Sequence, residues 1–256
     1  MIWSVPSGFE RSAWDGRDAV WRGWSYPSGD LRVAQPFLPY DQGDVPCCVS
    51  MAIVGAMESL LLAAGNPVQL SPLHHYWHAR PLPPAITLVD PRHGLQVART
   101  IGVAPLAVHL PAIDPYLPLT PVVAAERPSS TVDFAAASFR LQVLPWQYLR
   151  VPPGQQARRW KAALARGVPV MVGLDIPPGY ERLFDGEDVL QPGMGPAVDK
   201  HVVLVVGWSQ GTFLVRDSRG DRIGKAGHWW LPERLADSSL VVESWVIDPQ
   251  ARADVA

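Results

Sequence analysis

The clearest hydrophobic pattern in the chain is a stripe of helical period in the segment 49–64. Its apolar positions are Val49, Ala52, Ile53, Ala56, Met57, Leu60, Leu61 and Ala64. Positions three and four residues apart lie on one face of an α-helix, so the pattern predicts a long helix. Gly65, Asn66 and Pro67 end this helix. Its first residue is expected at or just after Cys48.

Other helices are predicted on both sides of the chain's midpoint. Residues 70–80 follow a Ser71-Pro72 pair, which is typical of a helix N-terminus. Residues 94–102 and 155–167 each end at a glycine, which favours a helix C-terminus.

Apolar runs in the second half indicate strands instead. We predict strands at 138–144, 168–176, 201–208, 212–217, 227–231 and 240–247. Ser209, Gln210 and Gly211 separate the third strand from the fourth and signal a hairpin. Residues 1–40 are irregular, and 105–135 and 177–199 are long loops that could shape a cleft. Helices followed by strands predict an α+β fold, with two lobes and a cleft between them.

Composition narrows the possible partners. The 256 residues carry a net charge of −2, so no electrostatic footprint for nucleic acid or an anionic membrane is present. No apolar run approaches the roughly 18 residues of a membrane-spanning helix. The N-terminus has no basic region followed by an apolar one, so no secretory signal is predicted and a cytoplasmic location is expected.

The two cysteines of the chain, Cys47 and Cys48, are adjacent. Adjacent cysteines exclude a disulfide framework and lack the spaced ligand pairs of structural zinc. Cys48 lies where the unpaired N–H groups and the dipole of a helix N-terminus favour an anion, and hence a nucleophilic thiolate. From the helix alone, a buried small apolar residue is an equally good interpretation.

The hairpin supplies a candidate base. His201 opens its first strand and Asp217 closes its second. If the turn is centred near residue 209, these side chains face each other across the ladder, with Cβ atoms about 5 Å apart. A carboxylate there holds one imidazole nitrogen and directs the other outward, as in a catalytic triad. Alone, such a pair is more often structural; the cysteine about 150 residues upstream strengthens the catalytic interpretation.

At this point the sequence resembles the papain-like cysteine peptidase superfamily, in the form common among bacteria. The segment SGDLRVAQPFLPYDQGDVPCCVSMA is similar to the mature N-terminus of that family. Gln42 lies six residues before Cys48, the family's spacing between the oxyanion-hole glutamine and the nucleophile, which favours Cys48 over Cys47. Further similar segments are LSPLHHYWHAR, GLQVARTIGV, WKAALARGVPVMVGL, HVVLVVGW and LVRDSRG.

The resemblance implies a papain-like fold over residues 29–256, after an N-terminal extension of residues 1–28. A helical lobe, about 29–135, would carry the nucleophile, and a β-rich, barrel-like lobe, about 136–250, would carry His201. Cys48 would be the nucleophile and Gln42 would bind the oxyanion, while His201 would be the acid and base that Asp217 orients. The implied substrate is a peptide or protein, and no cofactor or metal is expected.

The sequence departs from the family at four positions. Asp217 replaces the usual Asn, and Arg219 replaces an aromatic residue that shields the histidine; Trp208, Trp229 or Trp230 are candidate substitutes. Lys200 replaces the Gly before the histidine, and its charge is expected to disfavour protonated His201. Cys47 replaces Ser as a small filler or a second thiol.

Three functions remain open at this stage. The first is peptide-bond hydrolysis through a Cys48 acyl-enzyme. The second is a leader-peptide-processing or amide-forming acyl transferase, and the third is an inactive binding protein of the same fold. The N-terminal extension is short for the usual helical inhibitory pro-segment, which suggests that narrow specificity or delivery limits the activity.

Three histidines on the predicted helix 70–80 raise a separate possibility. His74 and His78 share a helix face, which is compatible with metal binding, but the sequence identifies no third ligand. Together with His75, they are expected to be half-buried aromatic-like residues beside Tyr76 and Trp77.

Overall fold

A computed structural model gives the fold of the chain. It describes residues 8–251 except 14, 17, 24, 25, 27, 82, 84, 111–113, 115 and 145. The helices are α1 (Cys48–Ala63), α2 (Pro72–Ala79), α3 (Pro91–Thr100), α4 (Leu106–His109), α5 (Pro121–Ala125), α6 (Ser130–Ala136), α7 (Gln156–Leu164) and α8 (Glu233–Ala236). Short 3-10 helices occupy Ala137–Phe139, Pro178–Phe184 and Gly220–Arg222.

One antiparallel sheet collects the strands of the second half. Its strands are β1 (Leu31–Arg32), β2 (Gln147–Val151), β3 (Val170–Ile176), β4 (Asp199–Ser209), β5 (Thr212–Arg216), β6 (His228–Pro232) and β7 (Val241–Asp248). The order across the sheet is β2-β7-β3-β4-β5-β6, with β1 paired to β4. Within the described residues this sheet is open, so the expected barrel-like closure is not present.

Strand β4 is the centre of the molecule because both of its faces are covered. Helix α1 packs on β4 from one side, and the core there includes Val202 and Leu204. Helix α7 packs from the other side, where Val203 and Val205 join a second core. Burial on both faces explains why the strand is a nearly continuous run of apolar residues.

The helix predictions are confirmed within a few residues at each end. Helix α1 begins at Cys48. Helix α2 begins at Pro72 after Ser71, whose side chain accepts a hydrogen bond from the His74 N–H. The segment 105–135 is not a loop, because it contains α4, α5 and α6.

The strand predicted at 138–144 is wrong. Ala137–Phe139 form a 3-10 helix, and the N–H groups of the following turn donate to the Arg140 carbonyl oxygen at 3.0 Å. A backbone closed in local turns cannot join a ladder. The apolar side chain of Leu141 is buried against the helices instead, and the sheet strand begins only at Gln147.

The hairpin exists, but its predicted register is wrong. Ser209 pairs with Thr212, so the turn residues are Gln210 and Gly211, with φ angles of 47° and 79°. Two residues of positive φ are typical of a type I′ turn. A bulge after Val205 shifts the register again toward the open end.

No helix of the described residues is long and apolar enough to cross a membrane.

Candidate active site

Cys48 is the first residue of helix α1 and is completely buried. The buried neighbour Cys47 occupies the N-cap position, and its side chain makes no capping hydrogen bond. Burial, followed by the charge of Cys48, raises the pKa of the Cys47 thiol well above its usual value. Cys47 is therefore held as a neutral thiol.

His201 lies near the start of β4, and Asp217 follows the last residue of β5. The two are not ladder partners, because the His201 backbone pairs with Leu174 of β3 and the β4–β5 ladder ends at Arg216. Their side chains nevertheless meet: His201 Nε2 lies 2.9 Å from Asp217 Oδ1. The predicted contact is present although the predicted register is not.

Four donors surround the Asp217 carboxylate. Oδ1 accepts from His201 Nε2 and, at 2.7 Å, from the Ser218 N–H. Oδ2 accepts from the Tyr180 hydroxyl and from Trp229 Nε1, each at 2.8 Å. Burial favours the neutral carboxyl, but His201, Trp229 and Tyr180 outweigh it and lower the pKa of Asp217 to about 2. The carboxylate is therefore charged at neutral pH.

The charge of Asp217 controls His201. Burial works against a protonated imidazole, but Asp217 and then Cys48 outweigh it and raise the pKa of His201 to about 9. Lys200 is exposed, and the effect expected of its charge on His201 stays a prediction. Cys48 acts on the ring by charge and by a side-chain hydrogen bond, and His201 Nδ1 has no other partner among the described residues.

Gln42 is tied to both parts of the site. Its Nε2 donates to the Val45 carbonyl oxygen at 3.0 Å, and that oxygen also accepts from the Cys47 N–H at 2.8 Å. Its Oε1 accepts from the Ser218 hydroxyl at 2.6 Å. The amide is thus fixed between the start of α1 and the residue after Asp217.

Two aromatic residues from other parts of the chain, Trp229 and Tyr180, contact the His201–Asp217 pair in place of the aromatic residue expected at position 219. Trp229, one of the three candidates, bonds Asp217, whereas Trp208 donates to Glu233 and Trp230 lies beside Arg32. Tyr180 is the residue that the sequence analysis missed. Its ring stands edge-on to the His201 ring, at a centroid distance of 6.2 Å.

Arg219, which holds the position of the missing aromatic residue, has a different role. Its side chain is buried and donates to the Gly43 carbonyl oxygen at 3.3 Å. It therefore braces the loop that carries Gln42.

The N-terminal segment covers Cys48. The Gly8 carbonyl oxygen lies 3.9 Å from Cys48 Sγ. The next side chain, Phe9, is buried against Gly173 of β3, where an added Cβ would lie 2.5 Å from the phenyl ring. Glu10 continues the contact by donating its N–H to the Val89 carbonyl oxygen at 3.4 Å. Residues 8–10 thus pass between the helices and the sheet, directly over Cys48.

Asp18 fastens this segment to both layers. Its carboxylate accepts from Arg92 of α3 at 2.5 Å and from Arg150 of β2 at 3.3 Å. Closer to the nucleophile, the Ser12 N–H donates to Glu243 of β7 at 2.8 Å. Helices and sheet are therefore joined through the segment itself.

A second histidine cluster lies apart from this site, where His74 Nε2 and His78 Nε2 lie 3.2 and 2.8 Å from Asp133 Oδ1. These atoms are close enough for a metal, and Asp133 of α6 is the third group that the sequence did not reveal. However, His74 Nδ1 accepts the Ala104 N–H at 3.3 Å, so Nε2 carries the proton of the neutral ring. A metal-ligating Nε2 needs its lone pair, with the proton on Nδ1. The donor set therefore does not fit a metal.

Comparisons with known proteins identify the fold. No protein-family model matches the chain, and no curated protein matches it. Among solved structures it is similar to xylellain, a cysteine protease from Xylella fastidiosa, with a TM-score of 0.83 and 21% identity over 97% of this chain and 98% of that one.

Two further structures agree with this one. Digestive procathepsin L 3 of Tenebrio molitor has a TM-score of 0.70 and 15% identity, covering 90% of this chain and 73% of that one. Bromelain of Ananas comosus, in complex with the E64 inhibitor, has a TM-score of 0.63 and 18% identity, covering 87% and 99%. The chain therefore has the papain-like cysteine protease fold.

Proposed function

We propose that the chain is a cysteine peptidase that hydrolyses peptide bonds through a Cys48 acyl-enzyme. One observation carries the proposal: a cysteine at a helix N-terminus adjoins a histidine whose far nitrogen is held by a buried, ionised aspartate. Protonated His201 stabilises a Cys48 thiolate by charge, and the unpaired N–H groups at the helix start add to this effect.

Acylation begins when the Cys48 thiolate attacks the carbonyl carbon of the scissile bond. The negative charge moves to the carbonyl oxygen, where the Cys48 N–H and the Gln42 amide donate hydrogen bonds. A primary amide has two N–H groups, so the bond to Val45 leaves one for the oxyanion. Each such donor contributes about 3 kcal/mol to transition-state stability. His201 then gives its Nδ1 proton to the leaving amine, and a thioester on Cys48 remains.

Deacylation uses the same groups in reverse. Neutral His201 takes a proton from water through Nδ1, and the resulting hydroxide attacks the thioester carbon. The carboxylic acid product leaves, and the thiolate and the imidazolium are restored. Asp217 keeps the ring oriented in both steps because it remains charged throughout.

The described state is closed to substrate, since Cys48 and His201 are 0% and 1% exposed. The Gly8 carbonyl oxygen lies 3.9 Å from the sulfur, in the space that a substrate carbonyl would have to enter. A short segment therefore covers Cys48 in the described state. Turnover requires residues 8–13 to leave the cleft.

The proposal is tested by labelling the full chain with an epoxysuccinyl probe and measuring intact mass. The variants are Cys47→Ala, Cys48→Ala and His201→Ala. Because Asp18 fastens the covering segment, each variant is also made with Asp18→Asn. Single-site labelling that survives Cys47→Ala but disappears with Cys48→Ala and His201→Ala supports the proposal. Labelling that is unchanged by His201→Ala refutes the activated pair. No labelling in any variant favours an inactive binding protein.

Hydrolysis is then distinguished from transfer. Peptide substrates are digested in ¹⁸O-labelled water with added amines as competing nucleophiles. Incorporation of one ¹⁸O into each new carboxylate supports a peptidase. Predominant formation of amides would contradict the proposal and assign an acyl transferase.

A further inference from the structure

The groups around position 217 explain why an aspartate, rather than an asparagine, is found there. Two of the four groups around its carboxylate, the Ser218 N–H and the Trp229 Nε1–H, are obligate donors. His201 Nε2 is also a donor whenever the ring is protonated. Tyr180 OH donates as well, because burial and then Asp217 raise its pKa well above the usual value and keep it protonated.

A carboxylate accepts on both oxygens, so it satisfies all four donors at once. Asparagine at this position has one oxygen and one NH₂ group, which itself only donates. If the asparagine oxygen faces His201 and Ser218, its NH₂ group faces the Trp229 N–H across a distance that is now 2.8 Å. The hydroxyl of Tyr180 can rotate to accept from that NH₂ group, but an indole N–H cannot.

The opposite orientation of asparagine fails differently. Its NH₂ group would then face the Ser218 N–H and His201 Nε2. This nitrogen can accept only if the ring is neutral, with its proton on Nδ1. Such a ring is not the imidazolium that pairs with a Cys48 thiolate.

We propose that Trp229 and Tyr180 are positioning residues that make aspartate, rather than asparagine, the working orienter of His201. This proposal rests on the proposed function. Trp229 is the residue that favours Asp over Asn at position 217, because its nitrogen can only donate a hydrogen bond. Tyr180 tolerates either residue type because its hydroxyl can donate or accept. Its ring also packs edge-on against His201 and Trp229.

The test is a set of paired substitutions in the full chain, each combined with Asp18→Asn to open the cleft. Asp217→Asn alone is expected to lower kcat by roughly 10³-fold, because the histidine adopts the wrong tautomer. Adding Trp229→Phe is expected to restore at least about tenfold, because it removes the facing donor. The same Trp229→Phe change lowers activity when residue 217 is Asp, so its effect reverses sign between the two backgrounds.

Tyr180→Phe is the matched control. In the Asp217→Asn background it is expected to give no rescue, because it removes an acceptor for the NH₂ group rather than an opposing donor. If Trp229→Phe does not fold, benzothienylalanine at position 229 replaces the indole N–H with sulfur in a ring of the same shape. Rescue by Tyr180→Phe, or none by either Trp229 replacement, would overturn the proposal.

The titration of His201 by NMR separates this proposal from the proposed function. The pKa of His201 is expected to fall on Asp217→Asn and to rise again when the Trp229 donor is also removed. This measurement needs no turnover. If the pKa follows this order while every chain lacks activity, the peptidase function fails and the positioning role stands. If activity is present but the pKa does not respond, the positioning role fails alone.

Discussion

Among the described residues, two aspartates bond histidines at similar distances but with opposite electrostatic outcomes. His201 lies 2.9 Å from Asp217, and His78 and His74 lie 2.8 and 3.2 Å from Asp133. The pKa of His201 is raised to about 9, whereas burial, and then the charge of His78, lower the pKa of His74 to about 3 despite Asp133. A hydrogen bond between these residue types therefore does not by itself define a charged pair.

The difference lies in the carboxylate. The Asp217 side chain is 0% exposed and all of its donors are protein groups, whereas the Asp133 side chain is 37% exposed and is shared by two histidines. Water screens Asp133, and protonation of one histidine there opposes protonation of the other. Asp217 has one histidine among its four donors, so no second imidazolium at this carboxylate opposes the protonation of His201. The comparison separates the proposed base, His201, from a cluster that holds α2 against α6.

The largest effect is expected when one residue is replaced in the His201–Asp217 pair, and a replacement in the His74–His78–Asp133 cluster serves as the comparison. His201→Ala should lower kcat/KM by roughly 10³-fold or more, because proton transfer and thiolate stabilisation are both lost. Asp133→Asn, the matched change in the other cluster, should leave kcat/KM within about twofold, since it touches no group near Cys48. Both are measured with peptide substrate in the Asp18→Asn background. Equal losses in the two variants would mean that the comparison does not reflect function.

The second prediction concerns access, which also differs between the two clusters. Asp18→Asn removes a charge that bonds Arg92 and Arg150, and losing one partner of a largely buried ion pair is costly. We expect the probe to label Cys48 roughly tenfold faster. Asp30→Asn, at an exposed carboxylate, is the control and should not change the rate. An unchanged rate in Asp18→Asn would show that the ion pairs do not hold the segment in place.

The third prediction is that the pKa values of His201 and His74 are shifted in opposite directions from the usual value. The folded pKa of His201 is above its unfolded value of about 6.5, so its pairing stabilises the fold fully below that pH and is lost as pH rises through about 9. The folded pKa of His74 is below 6.5, so its neutral burial stabilises the fold above that pH and is lost as pH falls toward about 3. NMR should show protonated His201 at pH 7.5 and neutral His74 at pH 5. Titration of both near 6.5 would contradict the comparison.

The smallest predicted effect is the response to zinc. His74, His78 and Asp133 have the spacing of a metal site, but the Ala104 N–H fixes the His74 proton on Nε2. Added Zn²⁺ should therefore not raise the Tm of the chain. The change in Tm on adding Zn²⁺ should be the same for His78→Ala as for the wild type. Stoichiometric zinc binding that disappears with His78→Ala would show that the His74 ring reverses its tautomer.

Much of the framework could be predicted from the sequence because it is local. The helical stripe and its Gly-Asn-Pro end fixed α1, and with it the place of Cys48 at a helix start. The spacing from Gln42 to Cys48 lies within one loop, and the hairpin follows from two apolar runs around a turn. These features depend on neighbouring residues, so single-chain patterns reveal them.

The same local logic failed where distant contacts decide the conformation. The apolar run 138–144 has the composition of a strand, but its residues close local turns and bury Leu141 against the helices. The register predicted from a turn centred near 209 was wrong because the turn residues are Gln210 and Gly211, and a bulge after Val205 shifts the pairing once more. His201 and Asp217 met regardless, because the end of β5 leads Asp217 back toward the start of β4.

The sequence by itself determined the α+β composition, the helix that presents Cys48, and the residue types of the candidate site. Only the tertiary structure decided that Tyr180 and Trp229 hold Asp217, that Asp133 completes a histidine cluster unsuited to metal, and that residues 8–10 cover Cys48. Each of these contacts joins residues far apart in the chain. Pattern along a sequence reports which face of an element is buried, whereas the partner on that face is chosen by the packing of the whole molecule.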